Sequence, residues 1–224
     1  MVSAFLETIP ARLRRTIHTF CTDMWEGYLT AIAEFISRHE MKGTAIVVDR
    51  FHVAQHYRDG FDQLRKQEMR RLKQELATAT YTADFTGALW LLRHNHEDLD
   101  EGQQAQLRRL LTHSPHLHLA YTLRQELTAI FEMKLSRKQA ETRLLKWIAK
   151  VERTSLTCFD DFIKSLRHHL AYIANYFIRR ASSGFVEGLN NKVKVIKRRC
   201  YGIKKVSTLF QRIWLDLEGY KRYV

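Results

Sequence analysis

The sequence predicts an α/β fold, mostly helical by content, in which a small parallel-sheet core is interrupted by an all-helical segment. Three observations predict it. Two short runs rich in β-branched and aromatic residues each end in an aspartate, with a helical pattern between them. From Ala77 to about Arg180 the strand signal stops and helical periodicity dominates. A basic amphipathic helix then starts near Phe185. These shifts divide the chain into residues 1–76 (partial α/β core), 77–180 (helical insertion) and 181–224 (returning core helices).

Residues 2–9 read as the end of a helix closed by Pro10. The run RTIHTFCT (Arg15 to Thr22) reads as a strand ending at Asp23. In MWEGYLTAIAEFISR, Trp25, Tyr28, Leu29, Ile32, Phe35 and Ile36 share one helical face. TAIVV (Thr44 to Val48) is a continuous apolar run, as in a strand buried on both sides, and it ends at Asp49. Val53, Tyr57, Phe61 and Leu64 open a long charged helix reaching about Leu76. This α-β-α-β-α order implies parallel strands joined by a crossover helix.

The following segment reads as helices FTGALWLLRH, QQAQLRRLLTH, LHLAYTLRQELTAIFEM, RKQAETRLLKWIAKVE and FDDFIKSLRHHLAYIANYF, with Trp90, Tyr121, Phe131 and Trp147 in their core. Polar breaks such as HEDLDEG and HSPH separate them. No fixed repeat period argues for a solenoid. The last helix, STLFQRIWLDLEGY, is expected to bury Leu209, Ile213, Leu217 and Tyr220 on one face.

Composition bounds the function. The 224 residues are 45% hydrophobic with two prolines, which describes a folded protein and not a disordered one. The net charge of +13 points to a polyanionic partner. The excess is local: Arg179 to Lys205 holds nine Lys or Arg and one acid, Glu187. Three widely spaced cysteines without Cys-x-x-Cys fit reduced thiols better than disulfides or zinc. No run approaches the ~18 apolar residues of a membrane span, and Arg12, Arg14 and Arg15 interrupt any secretory apolar stretch. A cytoplasmic protein without a membrane partner is expected.

On the helix from Phe185, the residues Phe185, Leu189, Val193, Ile196 and Cys200 share an apolar face, while Glu187, Asn191, Lys194 and Arg198 lie opposite. One helix thus offers an acid for a divalent cation and cations for phosphates, a combination suited to phosphodiester chemistry. Asn191, Lys192, Lys194, Lys197, Arg198 and Arg199 are the candidate DNA contacts. Asp23 and Asp49, each at a strand's carboxyl end, stand where open α/β sheets place their ligands. Each alone also fits a helix N-cap. DRFH (Asp49 to His52) sets an imidazole beside a carboxylate, either as a ligand or DNA-orienting pair or as a cap with a buried hydrogen bond. The pairs at His94/His96, His116/His118 and His168/His169 read as solvated, with no ligand at zinc spacing, so no metal site is expected there.

CTDMWEGY, VVDRFHV, HLAYTLRQEL and SSGFVEGLNNKVKVIKRRCYGI, in this order, resemble the C-terminal two-thirds of the catalytic region of ISL-three family insertion-sequence transposases. The similarity runs from about Phe5 to Tyr220, and DRFH and EGLNNKVKVIKRR are its most specific parts. The resemblance implies a ribonuclease-H-like core, an Asp-Asp-Glu triad, a helical insertion before the Glu, and DNA transposition with Mg²⁺ or Mn²⁺. It makes Glu187 the last triad acid. By analogy with Mutator-type families, Asp23 is the second acid and a metal ligand with Glu187, while Asp49 and His52 form an accessory signature. The other assignment makes Asp49 the second acid; Asp23 is favoured.

The family's first Asp precedes this region, and no aspartate precedes Asp23 here. The expectation is a truncated transposase lacking three strands, inactive alone, that binds DNA and pairs with a second copy or the full-length enzyme. A non-catalytic DNA-binding module or transposition inhibitor is the alternative. A poorly folding remnant and a complete resolvase-like nuclease rank behind it.

Overall fold

The computed structural model describes residues 1–203 and 205–219. It forms two compact units, Met1–Ala181 and Ser182–Val224, each described here by itself.

The first unit opens with helices α1 (Val2–Glu7) and α2 (Ala11–Arg14), then β1 (Thr19–Thr22), α3 (Glu26–Arg38), β2 (Ala45–Val48) and α4 (Arg50–Glu75). β1 and β2 pair in parallel with Thr19 opposite Ala45 and Thr22 opposite Val48. α3 is the crossover that a parallel pair requires, and it buries Leu29, Ile32 and Phe35. β2 is the better covered strand: Val47 and Val48 are buried, whereas all four β1 residues are half-buried. Among the described residues, the outer edge of β1 pairs with no further strand.

The chain continues through α5 (Thr78–Phe85), α6 (Ala88–Arg93), α7 (Glu101–His113), α8 (Pro115–Glu132), α9 (Arg137–Glu152), α10 (Asp160–His168), α11 (Leu170–Ala174) and α12 (Tyr176–Arg179). Local chemistry starts several of these. Asp100 with Gln103 and Ser136 with Gln139 form reciprocal capping boxes on α7 and α9. Ser114 caps α8 ahead of Pro115 at its first position.

One continuous core runs from Leu6 to Phe177, joining the strands to these later helices. α11 lies against β2, and Asn175 donates its side-chain N–H to the Ile46 carbonyl at 2.8 Å, satisfying part of that strand's outer edge. Tyr57 sits at the centre. Its ring stacks on Phe159 at 4.4 Å and its hydroxyl donates to the Ala120 carbonyl at 2.6 Å. Gly60 lets the turn Thr157–Phe159 approach α4: a Cβ there would stand 2.4 Å from the Cys158 carbonyl oxygen. Burial in this turn pushes the Cys158 thiol up to about 11.

The second unit contains α13 (Gly184–Arg199) and α14 (Val206–Glu218), which pack on each other. Lys192 and Asp216 form an ion pair between them at 3.2 Å.

Several elements differ from the sequence reading. The first strand starts at Thr19 and not at Arg15, because Ala11–Arg14 is helical and the Arg14 guanidinium is held by the Ile9 carbonyl and by His39. Trp25 is 57% exposed, since it precedes the first turn of α3 and falls off the helical period. Trp90 is 45% exposed because the short α6 turns Ala88, Leu91 and Leu92 inward instead. The single helix read from Phe159 to Phe177 is broken at His169 and Asn175 into α10, α11 and α12. On α14, Leu209 and Ile213 are half-buried, Leu217 is exposed, and Tyr220 lies outside the described residues.

Candidate active site

The two strand-end aspartates are brought together by the parallel ladder. Thr22 faces Val48, and the next rung continues as the Asp49 N–H donating to the Thr22 carbonyl at 3.1 Å. Asp23 and Asp49 are therefore the next residues on adjacent strands, whose spacing is about 4.8 Å. This is the carboxyl end of the sheet, the edge at which α/β proteins bind ligands.

Each carboxylate is held by the helix or turn after it. Asp49 is 2% exposed, and one of its oxygens accepts from the Phe51 N–H at 3.0 Å as the N-cap of α4. Asp23 is half-buried and accepts from the Trp25 N–H at 3.0 Å. The cap explains why α4 starts where it does, and it also fixes the orientation of Asp49. His52, in the first turn of α4, is half-buried, with the Phe51 ring edge-on at 5.7 Å.

Glu187 lies in the first turn of α13, half-buried, and accepts from the Ser183 hydroxyl at 2.8 Å. On the same helix Asn191, Lys194, Lys197, Arg198 and Arg199 are exposed, and none of these four cations forms an ion pair with the described residues. Lys192 differs, being engaged by Asp216. Phe185 is 82% exposed while Ile196 is buried, so the apolar face is covered toward the helix's C-terminal half. Arg180, counted with the basic run, is spent differently: it donates to the Phe131, Glu132 and Met133 carbonyls at the end of α8.

One grouping was invisible in the sequence. His169 is 5% exposed, not solvated, and Glu26 stands beside it. A Glu26 carboxylate oxygen lies 2.8 Å from His168 Nε2 and 3.6 Å from His169 Nε2, and the three candidate ligand atoms fall within 4.8 Å of one another. The residues are more than 140 positions apart in the chain, and no spacing rule could pair them. Two imidazoles and one carboxylate suit a transition metal better than Mg²⁺.

The chain matches the ISL-three transposase family over residues 1–213. It belongs to that family. It is 28% identical over 222 residues to the transposase for insertion sequence element IS1001 of Bordetella parapertussis, covering 98% of this chain and 52% of that protein. A transposase for IS1557 of Mycobacterium tuberculosis is 27% identical over 135 residues, covering 60% of this chain and 30% of its own length. The chain thus spans about half the length of the first of these relatives and less of the second. No solved structure matches it.

Membership of this family suggests divalent metal use, and the donor chemistry here is compatible with it. Asp23, half-buried at the strand end beside Asp49, carries the carboxylate oxygens that hard divalent cations prefer. Among the described residues no helix is long and apolar enough to cross a membrane.

Proposed function

We propose that this chain is part of the catalytic region of a DNA transposase, with a ribonuclease-H-like core to which β1, β2 and the surrounding helices contribute. The adjacency of Asp23 and Asp49 at the sheet's carboxyl end carries this reading. Asp23 is the second acid of the triad and a metal ligand, and Glu187 is the last acid. Asp49 and His52 act beside them: the buried, capped Asp49 is held by backbone and is better suited to orienting its neighbours than to direct ligation. Asp49 as the second acid is the alternative that its shared strand end keeps open.

Mg²⁺ or Mn²⁺ bound by these carboxylates would activate a water or 3′-hydroxyl and stabilise the leaving oxygen of a phosphodiester. The chain's own side chains do the rest. Exposed Lys194, Lys197, Arg198 and Arg199, with Asn191, bind the phosphate backbone, and Lys192 joins them if its bond to Asp216 opens.

The unpaired cations of α13 favour a second reading, a DNA-binding module that acts without catalysis, or as an inhibitor of transposition. Both readings require DNA binding. Duplex affinity should fall steeply with salt, and Lys194→Ala/Arg198→Ala should make the log–log slope shallower by about one unit per cation removed. A salt-independent affinity, or an unchanged slope, would contradict both. Loss of strand transfer in an active full-length relative on removing the acid aligned with Glu187 would separate them in favour of catalysis.

A further inference from the structure

The two sequence motifs DRFH and HLAYTLRQEL, some 70 residues apart, meet across one cleft of the first unit. Arg50 and Phe51 line it from the start of α4 and Arg124 from α8; Arg58 and Arg93 complete its walls. Its volume is about 360 Å³, in the lower part of the ~300–1,000 Å³ range of small-ligand pockets.

Its charge is unbalanced. Four guanidiniums face one carboxylate, Glu132, which pairs with Arg50 at 2.7 Å. Arg58 and Arg93 form no ion pair with the described residues. Arg124 is the most constrained of the four. Its guanidinium donates to the Leu92, Arg93 and His94 carbonyls and to the Asn95 side-chain oxygen at 2.7–3.1 Å, with no carboxylate in ion-pair reach among the described residues. Burial pushes its pKa down, so the charge is held at a cost that a bound anion would offset. Neutral acceptors fix the group in place without neutralising it.

The cleft also has an aromatic wall. Phe51 is 45% exposed, and the Arg58 guanidinium lies over its ring at 5.5 Å. A planar ring paired with a planar cation is a surface on which a nucleobase stacks, while neighbouring arginines take the phosphate. Arg50 and Phe51 directly follow Asp49, so one wall of the cleft begins at the residue after that strand-end carboxylate.

We propose that this arginine-lined cleft between α4 and α8 binds a single unpaired nucleotide of a DNA strand, its base against Phe51 and its phosphate among Arg58, Arg93 and Arg124. This assignment rests on the reading of the chain as part of a DNA transposase and adds a subsite to it. A cleft of this volume takes one nucleotide and not a base pair, which makes it a pocket for frayed or extruded DNA.

The test compares two labelled probes at one salt concentration: a blunt duplex, and the same duplex with four unpaired 3′ nucleotides. Base–aromatic stacking contributes ~1–3 kcal/mol per base, about a fivefold to hundredfold preference for the unpaired end. Arg58→Ala/Arg93→Ala should abolish that preference and leave blunt-duplex affinity within about twofold. Both residues reach solvent, and a melting curve checks the fold. With 2-aminopurine at the unpaired position, Phe51→Ala should remove the quenching and Phe51→Tyr should keep it. Blunt-duplex binding with no preference, or a preference that survives these substitutions, overturns the cleft assignment alone. Binding of neither probe overturns it together with the DNA reading beneath it.

Discussion

Gly60 and His169 show how single residues hold this architecture. At Gly60 an added Cβ would press on the Cys158 carbonyl at 2.4 Å, and backbone cannot swing aside as a side-chain tip can. Gly60→Ala should therefore lose about 1–3 kcal/mol, the usual cost of overpacking, seen as a lower Tm. His169 gives a pH signature. Burial lowers its pKa; Glu26 opposes this, and His168 and His56 add to it. Once pH drops below the unfolded value of about 6.5, the unfolded chain binds the proton more readily than the folded one. Stability then falls with falling pH until the folded imidazole also titrates. Between pH 7.5 and 5.5 Tm should decline, and His169→Gln should flatten the decline; an identical slope in the variant would contradict this origin.

At the scale of elements, the legible parts were those whose residues answer to neighbours in sequence. The apolar run before Asp49, short and β-branched, reads as a buried strand, and α4 starts at the residue its Asp49 cap dictates. The Asp23–Asp49 pairing followed from strand order, since parallel neighbours end on the same side. What escaped was set by distant partners. The breaks around α11 accompany the Asn175 bond to Ile46 and the burial of His169, and neither interrupts the local periodicity from Phe159 to Phe177. Helical spacing puts Trp25 on the face of Leu29 and Ile32, and Trp90 reads as core, yet one sits before a helix and the other off the buried face of a six-residue one. On α13 the basic stripe was legible, but the engagement of Lys192 by Asp216 on the next helix was not.

At the scale of the whole first unit, strands and later helices share one core, so they should unfold together. Leu144 is fully buried in α9. Leu144→Ala should cost about 2–5 kcal/mol and shift the far-ultraviolet and tryptophan transitions alike. Transitions that separate would mean that the α/β elements and the helical segment fold independently, and a broad melt would favour a poorly folding remnant.

The decisive measurement is a Mn²⁺ titration of this chain, read by the loss of the free-ion electron paramagnetic resonance signal, with Asp23→Asn and Glu187→Gln alongside. If those two carboxylates hold the ion, wild type binds it, and each variant weakens binding more than about tenfold, since even losing a group that only orients a ligand commonly costs 10–100-fold. Mn²⁺ affinity unchanged in both variants would contradict the metal site and, with it, the assignment of the two triad acids.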